Sequence, residues 1–206
     1  RRADYLEASL SVARSFWVPV DLSTLLNRAC EAISEHFDFH MVMVYLMDDE
    51  GRSVTLRGAS SVAGKALVLR GFRLRFGSGD PVEQVAVEGE PLAAPIAERQ
   101  HQAALAPLLT PETQATLLLP LRVGDRLLGV LDIHSGREGD LQHRGGAVLQ
   151  QLVDHLAAAI ERIQRVGGDD AAIEPGPQAY QTALKLITAQ SERDVFGAML
   201  RAVDAY

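Results

Sequence analysis

A single cysteine, Cys30, stands among 206 residues. No disulfide can close within the chain, and a thiol redox cycle would need its second thiol from elsewhere. A lone thiol suits a reducing compartment, so a cytoplasmic location is expected. Long apolar runs are also missing. None approaches the roughly 18 residues of a membrane span, and no secretory signal opens the chain, so no membrane contact is expected. Positive charge is the scarcer sign: 20 Lys and Arg against 27 Asp and Glu leave a net charge of −7. That balance argues against a nucleic-acid partner, since such binders usually carry a basic face. The chain opens on Arg1 rather than Met, and we expect it to be a piece of a longer protein.

What is present is the composition of a soluble globular chain, 47% hydrophobic and 23% charged. A domain of about 150 residues buries roughly 70% of its unfolded surface and needs no disulfide or metal staple. Residues 3–17 carry a mixed helical pattern that Pro19 ends. Asp21 stands at the N-cap position of a second helix, "LSTLLNRACEAISEHF". Its Leu22, Leu25, Leu26, Ala29, Ile33 and Phe37 fall on one face. "FHMVMVYLM" is apolar on both sides, hence a central strand. "DDEG" turns it into a return strand, "RSVTLRGAS". "FRLRF" alternates, with Phe72, Leu74 and Phe76 on one face and Arg73 and Arg75 on a solvated edge. "GSGDP" breaks the chain before a short helix, "VEQVAVEGE". From Pro91 to Pro111, four prolines and mixed helical pieces predict a long irregular cover.

"TLLLPLRVGDRLLGVLDIHSG", residues 116–136, reads as a β-hairpin closed by Gly124-Asp125. An unbroken ladder from that tip sets Thr116 against Ile133, Leu117 against Asp132, Leu118 against Leu131 and Leu119 against Val130. Asp132 and His134 then share a face with Leu117, Leu119, Leu128 and Val130. A helix over about 142–165 follows, with Val148, Leu149, Leu152, Leu156, Ile160 and Ile163 as its apolar stripe. "VGGDDAAIEPGP" is a linker by composition. The tail repeats the opening two-helix pattern: Leu184 matches Leu10, Phe196 matches Leu22 and Leu200 matches Leu26. The expected layout is an N-terminal helix over 1–20, a domain over 21–166, a linker over 167–177 and, over 178–206, the entry helices of a truncated second copy.

The order helix, two strands, third strand, cover, hairpin and long final helix is an α+β order. The stretches "LLNRACEAISEHFDFHMVMVYLMDDEG", "FGSGDPVEQVAVEGEPL", "LLLPLRVGDRLLGVLDIHS" and "AVLQQLVDHLAAAIERI" resemble a GAF domain. The resemblance implies a central antiparallel sheet of five or six strands. Terminal helices would lie on one face; a pocket under the irregular cover would lie on the other. It also implies a regulatory part of a signalling protein such as a sensor histidine kinase, dimerising through its terminal helices. "FHMVMVYLM" is similar to the first strand of bilin-binding members, which turns Met43 and Tyr45 into the pocket. Phe76, Thr116, Leu118, Leu131 and Ile133 join them, with Arg57 at the rim and His101 in the cover. Asp132 and His134 are thereby expected to point towards the terminal helices, as buried polar groups satisfied within the core.

Several uses of the family are disfavoured. The cyclic-nucleotide members' Asn-Lys pair is missing, the chain's one Asn being Asn27. Cys30, on a helix before the first strand, is poorly placed to attach a bilin. The sulfoxide-reducing members use several thiols. For haem, His101 reads better as a surface histidine than as an axial ligand. "GSGD" at 77–80 lacks the Lys of a phosphate loop, and Asp80 and Glu83 oppose an anion there, so a glycine turn is the simpler account. His143 and His155 stand too far apart on their helix for a metal site. The expectation is therefore a non-enzymatic, small-molecule-sensing module with no catalytic residue and no metal. A dimerisation module whose pocket its own side chains fill is the alternative.

Overall fold

The computed structural model describes residues 21–95, 113–136 and 146–166. The expectations placed on residues 1–20, on most of the irregular cover (96–112, with His101), on His143 and on 167–206 lie outside the described residues. Ten elements follow one another: α1 (Leu22–Phe37), β1 (Met41–Met47), β2 (Ser53–Ala59), α2 (Val62–Leu69), β3 (Arg73–Arg75), α3 (Pro81–Glu88), β4 (Leu92–Pro95), β5 (Ala115–Val123), β6 (Arg126–Ser135) and α4 (Gly146–Val166). The six strands form one sheet in the order β3-β2-β1-β6-β5-β4, and every neighbouring pair is antiparallel. This is the expected α+β layer with a six-stranded sheet.

Helix α1 starts where Asp21 caps it, its carboxylate accepting from the Thr24 N–H at 2.9 Å and from the Thr24 hydroxyl at 2.6 Å. It ends at Asp38, whose φ of 57° turns the chain into β1. Leu25, Leu26, Ala29, Cys30, Ile33 and Phe37 are buried, the expected stripe with Cys30 added and Leu22 at its margin. Helix α4 buries Leu149, Leu152, Val153, Leu156, Ala157 and Ile160 in the same core. Between these helices and the sheet lie Val42, Val44 and Leu46 of β1, with Leu117, Leu119 and Leu121 of β5. Side chains such as Leu26 and Leu156, with 0% exposure, each contribute about 1.5–3 kcal/mol on burial.

A second core covers the opposite face, called here the cover face. Met41, Met43 and Tyr45 of β1 pack there with Val54, Leu56, Leu74, Leu118, Val130 and the inner residues Val82, Val85 and Ala86 of α3. Helix α2 closes on the end of β2: a Cβ added at Gly64 would lie 2.6 Å from Ala59 Cβ. On its other flank, Lys65 Nζ lies 2.5 Å from Glu31 Oε1 of α1.

The hairpin corrects the sequence-based register. Val123 pairs with Arg126 across Gly124-Asp125, and Arg122 with Leu127, as the turn dictates. Leu121 then pairs with Gly129, so Leu128 is an extra residue, a β-bulge. From there every partner shifts by one. Thr116 faces His134, Leu117 faces Ile133, Leu118 faces Asp132 and Leu119 faces Leu131. A slip of one residue exchanges the faces of a strand. Leu131 and Ile133, expected in the pocket, therefore lie in the core beneath α1 and α4. Asp132 and His134, expected towards those helices, stand on the cover face. Leu128 stays on the helix side, while Val130 belongs to the cover-face core.

Candidate functional site

The cover face is apolar at its centre and polar along one side. Strands β1, β5 and β6 run side by side, and cross-strand partners share a face. Met43, Asp132 and Leu118 form one row; Met41, His134 and Thr116 form the next. Tyr45 and Val130 continue it. Asp132 and Thr116 have 0% exposure and His134 has 1%. Three polar side chains thus lie buried together on a face otherwise built from Met, Leu, Val and Tyr.

Their arrangement comes from strand periodicity. Asp132 and His134 are two residues apart, so both project from one side of β6, and His134 Nε2 lies 3.3 Å from Asp132 Oδ1. A carboxylate so placed favours the tautomer with a proton on Nε2 and leaves Nδ1 as the ring's second polar atom. Thr116 on the next strand adds a hydroxyl that both donates and accepts. The Tyr45 hydroxyl, fully buried, donates to Met43 Sδ at 3.8 Å. Together these groups offer a carboxyl group, an imidazole and hydroxyls to a molecule with an apolar body. Buried groups of this kind require partners, and each of them has one within the chain.

Of the residues that the sequence places in a pocket, Met43, Tyr45, Thr116 and Leu118 share this face, as the pairing shows. Phe76 is half-buried at the margin of the cover-face core. Arg57 is the half-buried extra residue of a second bulge, between the pairs Val44–Gly58 and Tyr45–Leu56. Leu131 and Ile133 leave the set for the reason given above. Asp132 and His134 enter it, and the signal that locates them is a bulge.

Cys30 lies on the opposite side of the sheet with 0% exposure. Burial pushes its thiol well above the ordinary range. The thiolate form that attachment or redox chemistry needs is suppressed there. The "GSGD" turn is filled from within. The Glu83 carboxylate accepts from the N–H groups of Gly77, Ser78 and Gly79 and from the Ser78 hydroxyl. Gly77 and Gly79 hold φ values of 102° and 73°, which glycine adopts without strain. Asp80 caps α3 through the Val82 N–H at 2.7 Å. Among the described residues, no group of three or more His, Cys, Asp or Glu is arranged to hold a metal ion. None of their helices is long and apolar enough to cross a membrane.

Residues 19–161 match the family profile described as GAF domain. The chain belongs to the GAF domain family. The match spans both faces of the sheet and the terminal helices that pack on it. No curated protein matches the chain. Solved GAF structures share its fold. The GAF domain of a phosphoenolpyruvate-protein phosphotransferase from Coxiella burnetii is 20% identical, with 82% of this chain and 99% of that one covered and a TM-score of 0.69. The GAF domain of the Acinetobacter phosphoenolpyruvate-protein phosphotransferase is 16% identical over 80% of this chain and 96% of its own, with a TM-score of 0.65. A free methionine-R-sulfoxide reductase from Neisseria meningitidis, solved with its substrate, is 19% identical over 80% of this chain and 93% of its own, at a TM-score of 0.60. At these identities the likeness is one of fold. A fold by itself does not fix a function.

Proposed function

We propose that this GAF domain is a sensory or regulatory module of a larger signal-transduction protein, such as a sensor histidine kinase. It binds a small, largely apolar molecule on the cover face. One observation carries this reading: Asp132, His134 and Thr116 are buried together among Met43, Tyr45, Leu118 and Val130. Three polar side chains at the centre of an otherwise apolar face offer a ligand directional contacts that apolar residues of similar size would not. In this reading Asp132 accepts a hydrogen bond from the ligand, Thr116 and His134 fix its orientation, and the methionines adapt to its apolar body. A ligand bound more tightly by one packing of the surrounding helices shifts the population towards it, and so the output.

The reading is non-enzymatic. Its support is the position of Cys30, buried on the far side of the sheet with its thiol held protonated. A homodimer through the terminal helices completes the proposal. Native mass spectrometry of the chain purified under mild conditions tests the sensing role. A bound small molecule is expected, retained in the wild type and lost in Asp132→Asn and Thr116→Val. If no molecule is carried, and no member of a metabolite library raises the melting temperature, the sensing role fails.

A further inference from the structure

Residues 51–79 contain six of the chain's 20 Lys and Arg and none of its 27 Asp and Glu. In a chain of net charge −7 this segregation is strong. The segment folds as β2, α2 and β3, which together form one end of the sheet. Arg70, Arg73 and Arg75 are exposed, and the Arg52 side chain is 81% exposed. Among these cations, Lys65 meets Glu31, and Arg52 meets Glu50 at 3.4 Å in open solvent. Arg73 donates to the Thr55 hydroxyl at 3.2 Å. Among the described residues, neither Arg73 nor Arg75 forms an ion pair.

Strand β3 is the last in its sheet, and its backbone is open on one side. The Leu56 N–H donates to Phe72 O, and the Phe76 N–H donates to Arg52 O. Antiparallel pairing alternates, so Phe72, Leu74 and Phe76 turn their backbone groups towards β2. Arg73 and Arg75 therefore turn theirs outwards. The two residues with unclaimed backbone groups are also the two exposed arginines. Their side chains lie two residues apart on one face, the spacing of alternate residues on an added strand.

An edge of this kind discriminates. A second copy pairing through the same strand would set arginine against arginine, which is destabilising. A segment with acidic residues at alternate positions meets both guanidinium groups, each able to hold a carboxylate with two hydrogen bonds. Strand addition at an open edge is a recurring way to bind a peptide, with backbone bonds giving affinity and alternate side chains giving choice. We propose that the β3 edge docks an acidic, extended segment of a partner protein, held by the outward backbone groups and the guanidinium groups of Arg73 and Arg75. The site lies at an edge of the sheet and does not depend on the cover face being occupied.

The test titrates the full chain, at low salt, with a capped octapeptide in which Glu alternates with Val and Thr. Fluorescence anisotropy gives the affinity, and amide hydrogen exchange locates it. The expected result is binding that weakens with added salt, with new protection at the amides of Arg73 and Arg75. The peptide with Lys in place of Glu should not bind. R73E/R75E should weaken binding at least about tenfold. R73Q/R75Q, which perturbs the edge less, should weaken it by a smaller factor in the same direction. The proposal is overturned if both variants bind as the wild type does, if protection appears elsewhere, or if no binding is seen. It is also overturned if a single-stranded DNA octamer occupies the same two residues more tightly than the peptide.

Discussion

A Cβ on Gly129 would stand 2.0 Å from the carbonyl oxygen of Tyr45. The obstructing atom belongs to the backbone of the central strand, so it cannot swing aside. Gly129 follows the extra residue Leu128, at the point where the hairpin changes register. The bulge is possible because a residue without a side chain fits beneath Tyr45. Gly129→Ala is expected to lower stability by at least about 2 kcal/mol, the cost of overpacking a closed site. The urea midpoint measures it. A loss under about 0.5 kcal/mol, the range of a neutral surface change, would mean that the strand accommodates the methyl group and the tight fit is unimportant.

Asp21 gives a second, pH-dependent expectation. The Thr24 hydroxyl, then the Thr24 N–H and the Ser23 hydroxyl, hold its carboxyl well below the usual carboxylate range. The folded-state pKa is depressed, so the stabilisation is complete above the unfolded value near 4 and is lost as pH falls through the folded one. Asp21→Ala should cost about 1 kcal/mol at pH 7, as N-cap deletions do. The difference between wild type and variant should shrink in acid. Chemical denaturation at pH 7 and at pH 3 reads both; a gap that widens in acid contradicts the capping role.

Glu83 is expected to order the turn before α3. Burial alone would raise its carboxyl, but the N–H groups of Gly77, Ser78 and Gly79 outweigh burial and hold it below the ordinary range. Glu83→Ala removes the shared acceptor of three successive amides. Exchange at those amides should accelerate at least tenfold, with about 1 kcal/mol of stability lost. Added phosphate should leave the wild-type turn unmoved, because a carboxylate already fills it. Unchanged exchange in the variant would show that the turn holds itself.

Cys30 should be inert while the chain is folded. It has 0% exposure, and burial, the largest effect on it, raises its thiol. A disulfide reagent at pH 8 should label it only after denaturant is added. Fast labelling of the native chain would show that α1 opens readily from β1 and β2.

The helical side of the molecule was legible in the residues because its signals are periodic and local. The stripe from Leu25 to Phe37, the Asp21 cap and the stripe of α4 each repeat a helical spacing. Arg73 and Arg75 were placed correctly on an edge by strict alternation. Helix α2 went unread: "VAGKALVL" is apolar nearly throughout, and only Gly64 is buried, so no stripe marks it. Its one local signal was Ser61, whose hydroxyl caps the helix at the Gly64 N–H, 3.0 Å away. Strand β4, four residues ending on Pro95, is defined by its pairing with β5 rather than by its own pattern. The candidate site was half legible. Met43, Tyr45, Thr116 and Leu118 were set by simple alternation, whereas Asp132 and His134 depended on one unpaired residue, Leu128, that alternation cannot reveal.

Helix α2 joins what the sheet keeps apart. A Cβ added at its Gly64 would stand 2.6 Å from Ala59 Cβ and 3.9 Å from Met43 Cγ on the cover face. One residue later, Lys65 reaches Glu31 on the other side of the layer. A side chain at position 64 would meet Ala59 at once, so α2 tolerates no bulk there while its next residue is tied to the first helix. Helix α2 thus bridges the two sides of the layer at its edge without passing through a strand.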